Sequence, residues 1–247
     1  MGANVGPLGT LFHDAARPPV QDAELRWYAE RLPRDGDILE LMCGSGRLLV
    51  PLLRAGYAMH GVDPSVAMLA RCAARVAAAR LRATLVRQEI EALNLPFRFT
   101  GAFVAGGAFQ RLTDPGAVRT ALERIRAHLI DPGVLVLDLF VPASGTQRLG
   151  AALVEVRTTR LPDGTRIALR SETITFCDER IARTRSRYVH RRGTAHLAEE
   201  TESTAITWYP ADEIAALVRE AGFGEVAIEP PARAQTDAEA YAVIARL

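Results

Sequence analysis

The residues best suited to chemistry lie in one short stretch, Glu40-Leu41-Met42-Cys43-Gly44-Ser45-Gly46-Arg47, which ends an apolar run and opens a helical pattern. Small residues at such a place let a ligand approach the backbone, and a branched side chain at Gly46 is expected to fill space meant for that ligand. Asp63 follows 17 residues after Gly46, at the end of the next apolar run. A carboxylate there suits ribose hydroxyls, as in nucleotide-binding α/β sheets generally. The two features together point to an adenosine-type ligand. A dinucleotide fingerprint wants a third glycine where Leu49 stands, which weighs against a pyrophosphate.

Other reactive groups are scattered. The histidines His13, His60, His128, His190 and His196 show no metal-binding spacing, so no metal is expected. Ser45 sits in Cys-Gly-Ser-Gly-Arg, which lacks the flanking pattern of a nucleophile elbow. Cys43, Cys72 and Cys177 form no CxxC pair, so neither a disulfide framework nor a zinc site is expected and a reducing cytoplasm fits best.

The elements that must position these groups follow from periodicity. Between Ile38 and Phe140 short apolar runs alternate with helical patterns, the signature of a parallel sheet with crossover helices. Five strands are expected, at 38–42, 58–62, 83–86, 102–105 and 134–139. Val66, Leu69, Ala73 and Val76 recur at helical spacing behind Pro64 and Ser65. After Pro142 the texture changes to Thr, Val, Ile and aromatic residues at 154–160, 167–176, 181–191 and 203–208, with turns at Pro162-Asp163-Gly164, 177–180 and 191–193. An antiparallel insertion is expected there. A helix around Ile214 to Ala221, closed by Gly222, then leads to strands at 225–228 and 241–245. The expected division is a segment 1–36, an α/β domain over 37–142 and 209–247, and an insertion over 143–208 that covers the cleft.

Composition narrows the function classes. The 247 residues include 49% apolar ones, ample for a core. All 30 basic residues are arginine, which excludes Schiff-base, pyridoxal-phosphate and Walker lysines. The net charge of +1 supplies no field to recruit nucleic acid or a membrane. The N-terminal stretch lacks the apolar core of a signal peptide, and the strongest apolar run, Gly133 to Val141, is too short to span a bilayer. Arg183-Thr184-Arg185-Ser186-Arg187 reads as one solvated strand face rather than a nucleic-acid contact.

The segment ILELMCGSGRLLVPLLRAGYAMHGVDPSVAMLARC resembles the first two motifs of class I S-adenosylmethionine-dependent methyltransferases, with Glu40, Gly44, Gly46 and Asp63 on the motif positions. Arg87-Gln88-Glu89-Ile90 is similar to the family's adenine segment, and Ala105 to Leu112 to its fourth-strand motif. LFHDA and Trp27-Tyr28 are similar to the N-terminal lid of its small-molecule subgroup. The resemblance covers the chain from about Phe12 onward and implies a Rossmann-like α/β fold. It implies S-adenosylmethionine as donor, S-adenosylhomocysteine as product, and cofactor contacts from Tyr28, Glu40, Gly44, Gly46, Arg47, Asp63, Pro64, Met68, Glu89, Ile90, Ala105, Gly106 and Gln110. Tyr28 is expected at the cofactor carboxylate, with Arg47 either there or in solvent. The chain departs from the family in carrying Glu89 for a shorter Asp, and Gly107 and Arg111 where Asn or Ser and His are common.

The expected activity is therefore methyl transfer to an N or O atom of a small-molecule acceptor. An amine acceptor needs no strong base, whereas a hydroxyl needs one in reach, with His13, His190 and Tyr188 as acceptor-side candidates. Tyr188 and His190 share one strand face, and the same spacing suits an outward surface pair. Phe12, Phe109 and Trp208 read as core aromatics. The readings held beside this one are an NAD(P)-dependent oxidoreductase, an RNA methyltransferase and a non-catalytic adenosine-binding regulator. A homodimer through an exposed edge of the insertion is a further expectation.

Overall fold

In the computed structural model the described residues are 5–142, 152–233 and 238–247. Residues 143–151, where the expected insertion begins, and 1–4, at the start of the expected lid segment, lie outside them.

The strands are β1 (Asp37–Leu41), β2 (Ala58–Val62), β3 (Thr84–Val86), β4 (Phe99–Val104), β5 (Leu129–Pro142), β6 (Leu153–Arg160), β7 (Arg166–Phe176), β8 (Ile181–Arg192), β9 (Ala195–Thr207), β10 (Glu225–Glu229) and β11 (Ala238–Arg246). The helices are α1 (Pro7–Ala16), α2 (Asp22–Arg31), α3 (Leu49–Arg54), α4 (Val66–Ala78), α5 (Pro115–His128) and α6 (Ala211–Glu220), with 3-10 turns at Ile90–Ala92 and Ala108–Arg111. Seven strands form the central sheet in the order β10-β11-β5-β4-β1-β2-β3. Strands β1 to β5 are mutually parallel, and β11 runs against both β5 and β10. The strand order reverses at β1 and β4, and in open α/β sheets ligands bind beyond the carboxyl ends of the strands at that point.

The physical basis of the sheet is burial on both faces. Ile38, Leu39, Leu41, Val104, Leu135, Val136 and Leu137 are all at or near zero exposure, which explains why these strands read as continuous apolar runs. One core lies between the sheet and α5 and α6, the other between the sheet and α2, α3 and α4. Helix α4 starts at Val66, where the Ser65 hydroxyl caps it by accepting the Met68 amide at 3.2 Å.

The insertion is a four-stranded antiparallel sheet ordered β6-β7-β8-β9. Helix α1 lies on it, with Leu8 and Phe12 packed against Ile167, Leu169 and Tyr188. The expected outward pair at Tyr188 and His190 is therefore corrected: Tyr188 is 1% exposed, its ring tilted against Phe12 with centroids 5.7 Å apart. Phe12, Phe109 and Trp208 are buried as well.

Candidate functional site

The site grows from the turn after β1. Met42, Gly44 and Gly46 all take positive φ, at 53°, 55° and 78°, and the turn is closed by the Gly46 amide donating to the Cys43 carbonyl at 3.0 Å. The two glycines serve different ends. A Cβ on Gly44 would meet nothing nearer than Met68 Sδ at 3.8 Å, whereas one on Gly46 would meet Cys72 Sγ of α4 at 2.6 Å. The expectation that Gly46 makes room for a ligand is thus corrected: it makes room for α4. Gly44 and Gly106, which has open space around its Cβ position, are the glycines that leave room for a ligand.

Asp63 sits at the carboxyl end of β2 and is buried. Its Oδ2 accepts the Gly44 amide at 2.9 Å and its Oδ1 the Ser65 amide at 2.8 Å. Burial raises its pKa, and the two amides oppose that rise. Each oxygen keeps a second lone pair for a ligand hydroxyl. Glu40 is buried on β1, and its Oε2 has no hydrogen-bond partner. Burial holds its pKa well above the carboxylate range. Leaving a buried polar atom unpaired costs about 1–3 kcal/mol.

On the other side of the switch point, Ala105 and Gly106 follow β4. The Gly106 amide donates to Asp138 Oδ2 at 3.1 Å, and the Tyr28 hydroxyl donates to the same oxygen at 3.3 Å. Tyr28, expected at a cofactor carboxylate, is fully buried and ties α2 to β5 instead. Arg47 is corrected likewise: its guanidinium forms a two-pronged pair with Glu24 of α2, with NH1 2.9 Å from Oε2. Gln110 is a clamp with every amide atom in use. Its Nε2 donates to the carbonyls of Phe140 and Thr207 at 2.8 Å, and its Oε1 accepts the Phe140 amide at 3.0 Å. Ile90 is buried in the core cluster that includes Val62 and Leu93. Glu89 is exposed, with its pKa raised by burial of its carboxyl and by the charges of Glu91 and Asp63. Pro64 and Met68 border the turn at intermediate exposure.

Helix α1 roofs this region, held by groups that carried no sequence signal beyond their charge. Glu200 of β9 accepts the Leu8 and Gly9 amides at 3.0 and 3.2 Å, supplying the cap that Gly6 cannot. At its other end Asp14 accepts from the Ser45 hydroxyl and from Arg71 at 2.7 Å, with Arg75 at 3.1 Å. The Ser65 hydroxyl donates to the Val5 carbonyl at 2.6 Å. His13 lies on α1, and burial together with Arg17, Arg111 and Arg157 pushes its pKa down to about 4. Its imidazole is therefore uncharged at neutral pH. Tyr188 donates to Glu202 at 2.6 Å, and burial raises its pKa far above neutrality, which removes it as a base. His190 is engaged at 2.7 Å by Thr165 in the β6–β7 turn. Of the three acceptor-side candidates, His13 alone lies on α1, with a neutral ring edge-on to Phe12 at 6.3 Å. Among the described residues no group of His, Cys, Asp and Glu has metal-binding geometry, and no helix is long and apolar enough to cross a membrane.

Comparison with known proteins agrees with this geometry. A family profile described as Methyltransferase domain matches residues 38–133. The protein YqeM of Bacillus subtilis (strain 168), to which a methyltransferase role is assigned provisionally, is 24% identical over 132 residues, 53% of each chain. The chain thus spans about half the length of the curated relatives it matches. Among solved structures, an S-adenosylmethionine-dependent methyltransferase from Clostridium acetobutylicum ATCC 824 superposes with a TM-score of 0.76 at 16% identity, covering 96% of both chains. The sugar N-methyltransferase KedS8 from Streptoalloteichus sp ATCC 53650 gives 0.74 at 20% identity, covering 95% of this chain and 90% of that one. The amino pentose methyltransferase CalS10 from Micromonospora echinaspora, solved with its donor bound, gives 0.66 at 22% identity, covering 96% and 91%. These likenesses establish the Rossmann-like fold with its separate antiparallel sheet.

Proposed function

From the premise of a methyltransferase domain carried on the class I fold, we propose that this chain is an enzyme transferring the methyl group of S-adenosylmethionine to an N or O atom of a small-molecule acceptor. The observation that carries the reading is the pairing of an unpartnered, buried Glu40 oxygen with a Gly44 backbone that has open space above it and an Asp63 carboxylate bonded to that same backbone. In this reading Glu40 receives the donor's ammonium group, Asp63 its ribose hydroxyls, and Glu89 its adenine amine, with Pro64 and Met68 alongside. The backbone at Gly44 and Ala105-Gly106 lies against the methionine portion. When bound, the donor supplies a methyl group on a positively charged sulfur. The chain's contribution is alignment and exclusion of water, which α1 provides by closing over the turn through Asp14 and Ser65. An amine acceptor fits best, because the neutral His13 ring with a pKa of about 4 is a weak base. The same reading treats 1–36 as a lid, 37–142 with 209–247 as the donor domain, and 143–208 as the acceptor cover in a cytoplasmic protein.

Calorimetry tests the donor. S-adenosylhomocysteine is expected to bind and NAD not to; the reverse would replace the reading with a dehydrogenase. Asp63→Ala is expected to weaken S-adenosylhomocysteine by about 1.5–3 kcal/mol, roughly ten- to hundredfold, the range for hydrogen bonds to a charged group. Unchanged affinity in folded variant protein would remove Asp63 from the site.

The reading includes a homodimer through β6. Among the described residues this edge strand pairs only with β7, and its Leu153, Val154 and Val156 are 54%, 46% and 69% exposed. A long exposed edge is a template for another strand. A two-fold axis at Val156 sets Glu155 opposite Arg157 of the partner subunit and Arg157 opposite the partner's Glu155, so the strand is complementary to itself. Light scattering is expected to show a dimer that Val156→Lys dissociates; a monomeric native protein would eliminate the interface and leave the donor assignment intact.

A further inference from the structure

A cavity of about 460 Å³ lies apart from the donor turn, where the segment after β4 meets the antiparallel sheet. That volume is within the range of small-ligand sites, about 300–1,000 Å³. Its walls include Arg111 and Thr113 from the central domain, Arg183 and Arg185 from β8, and Ser203 from β9. The strand residues form two rungs in direct register, Glu172–Arg185–Ser203 and Ile174–Arg183–Ala205. Strand alternation sets both rungs on one face. Three guanidinium groups thus border one cavity against a single lining carboxylate, Glu172. That carboxylate is engaged by Arg170 on its own strand. Neither Arg183 nor Arg185 forms an ion pair among the described residues. The Arg183 guanidinium carbon lies over the Phe176 ring at 5.0 Å from its centroid.

Two arginines close to the cavity in sequence are matched by carboxylates. Arg187, two residues along β8, bonds to Glu199 at 2.7 and 2.8 Å, and Arg180 pairs with Glu213. Arg183 and Arg185 have no carboxylate partner among the described residues, and guanidinium forks bind oxyanions by two parallel hydrogen bonds. The position ties the cavity to the donor turn. The segment from Ala105 to Arg111 starts beside Asp138 and ends at the cavity wall, with Gln110 fastening it to the end of β9. The Arg111 charge also reaches the turn, where it opposes the rise that burial gives the Asp63 and Glu89 pKa values.

We propose that this cavity anchors the acceptor through an oxyanion, either a phosphoryl group or a carboxylate, so that the substrate class is an anionic small molecule. The proposal rests on the methyltransferase reading for the word acceptor, while the anion site stands on the cavity and its arginines. A fixed anionic end held by Arg183 and Arg185, with Thr113 and Ser203 hydroxyls beside it, leaves the reacting end of the molecule to be aimed along the Ala105 to Arg111 segment toward the donor.

The test titrates the full chain, saturated with S-adenosylhomocysteine, with inorganic pyrophosphate and separately with malonate at constant ionic strength. One of the two is expected to bind at least tenfold tighter than chloride, and which one tells the phosphoryl class from the carboxylate class. Arg183→Gln and Arg185→Gln are each expected to weaken that probe by about tenfold, the loss of a charged fork. Arg187→Gln, on the same strand but already paired with Glu199, is expected to change it less than twofold. All three sites are exposed, so circular dichroism is expected to be unchanged. Absence of binding, or equal weakening by all three variants, would overturn the anchor. Failure of S-adenosylhomocysteine to bind native protein would instead sink the methyltransferase reading, and the probe titration would then be read on the unloaded chain.

Discussion

Gly46→Val is expected to destabilise the protein by about 2–5 kcal/mol and to abolish donor binding with it. Two costs add. The residue has φ +78°, and a left-handed conformation costs an L side chain about 1–2 kcal/mol, more for a β-branched one. Its Cβ would stand 2.6 Å from Cys72 Sγ and 3.5 Å from Val50 Cγ2, and overpacking of a tight core costs about 1–3 kcal/mol. Cys72 is fully buried on α4, so it has no solvent to retreat into. Denaturant unfolding of native and variant protein measures the loss. Stability within 1 kcal/mol of native would show that the turn does not press against α4, at odds with the geometry.

Gly44→Ala makes the contrast. Its φ of +55° carries the conformational cost, but the nearest atom to the new methyl is 3.8 Å away. A folded protein with reduced affinity for S-adenosylhomocysteine is expected. The two glycines look alike in sequence and differ in what stands over them, which only the packing of α4 decides.

That contrast marks where sequence reasoning works and where it stops. The central strands were legible because burial on both faces leaves continuous apolar runs, and β2 matches its expected bounds of 58–62. The antiparallel sheet was legible from its β-branched residues and turn glycines, since strand alternation and turn chemistry are local. Boundaries shifted where pairing extends beyond the apolar run, as in β5, which starts at Leu129 rather than Val134 because Phe99 of β4 pairs with Leu129.

Side-chain partners were not legible when they came from distant elements. Arg47 and Glu24 are 23 residues apart, and nothing local distinguishes a paired arginine from a solvated one. Gln110 belongs to a motif that resembles a cofactor contact, yet the carbonyls it clamps, Phe140 and Thr207, meet only after the insertion has folded back. Tyr188 alternates with exposed arginines, and its burial depends on α1, more than 170 residues earlier in the chain. Asp138 falls inside the expected strand 134–139. Its importance comes from Tyr28 and Gly106, which converge on one oxygen from opposite sides of the site.

Asp138 carries the other large prediction. The residue is 7% exposed, and burial pushes its carboxyl from the ordinary 3.8 up to about 6, against the opposing pull of the Gly106 amide and the Tyr28 hydroxyl. In the unfolded chain the group loses its proton near 3.8, whereas in the folded protein it keeps it until about pH 6. Between those values the folded state holds more protons, so stability falls as pH rises through the window and the full cost is present above pH 6. The interval from 3.8 to about 6 corresponds to about 3 kcal/mol. Asp138→Asn keeps an oxygen to accept from Gly106 and Tyr28 and has no charge to bury. The variant is therefore expected to match native protein at pH 3.5 and to exceed it by about 3 kcal/mol at pH 7.5. Urea unfolding at both pH values checks this. Because the same oxygen joins α2 to the loop after β4, the Tyr28 tether loses no acceptor in the variant, and S-adenosylhomocysteine affinity at pH 7.5 is expected to hold within about twofold. Parallel stability curves for the two proteins across pH 3.5 to 7.5 would mean that the Asp138 carboxyl ionises as it does in water, and the buried tether would have to be abandoned.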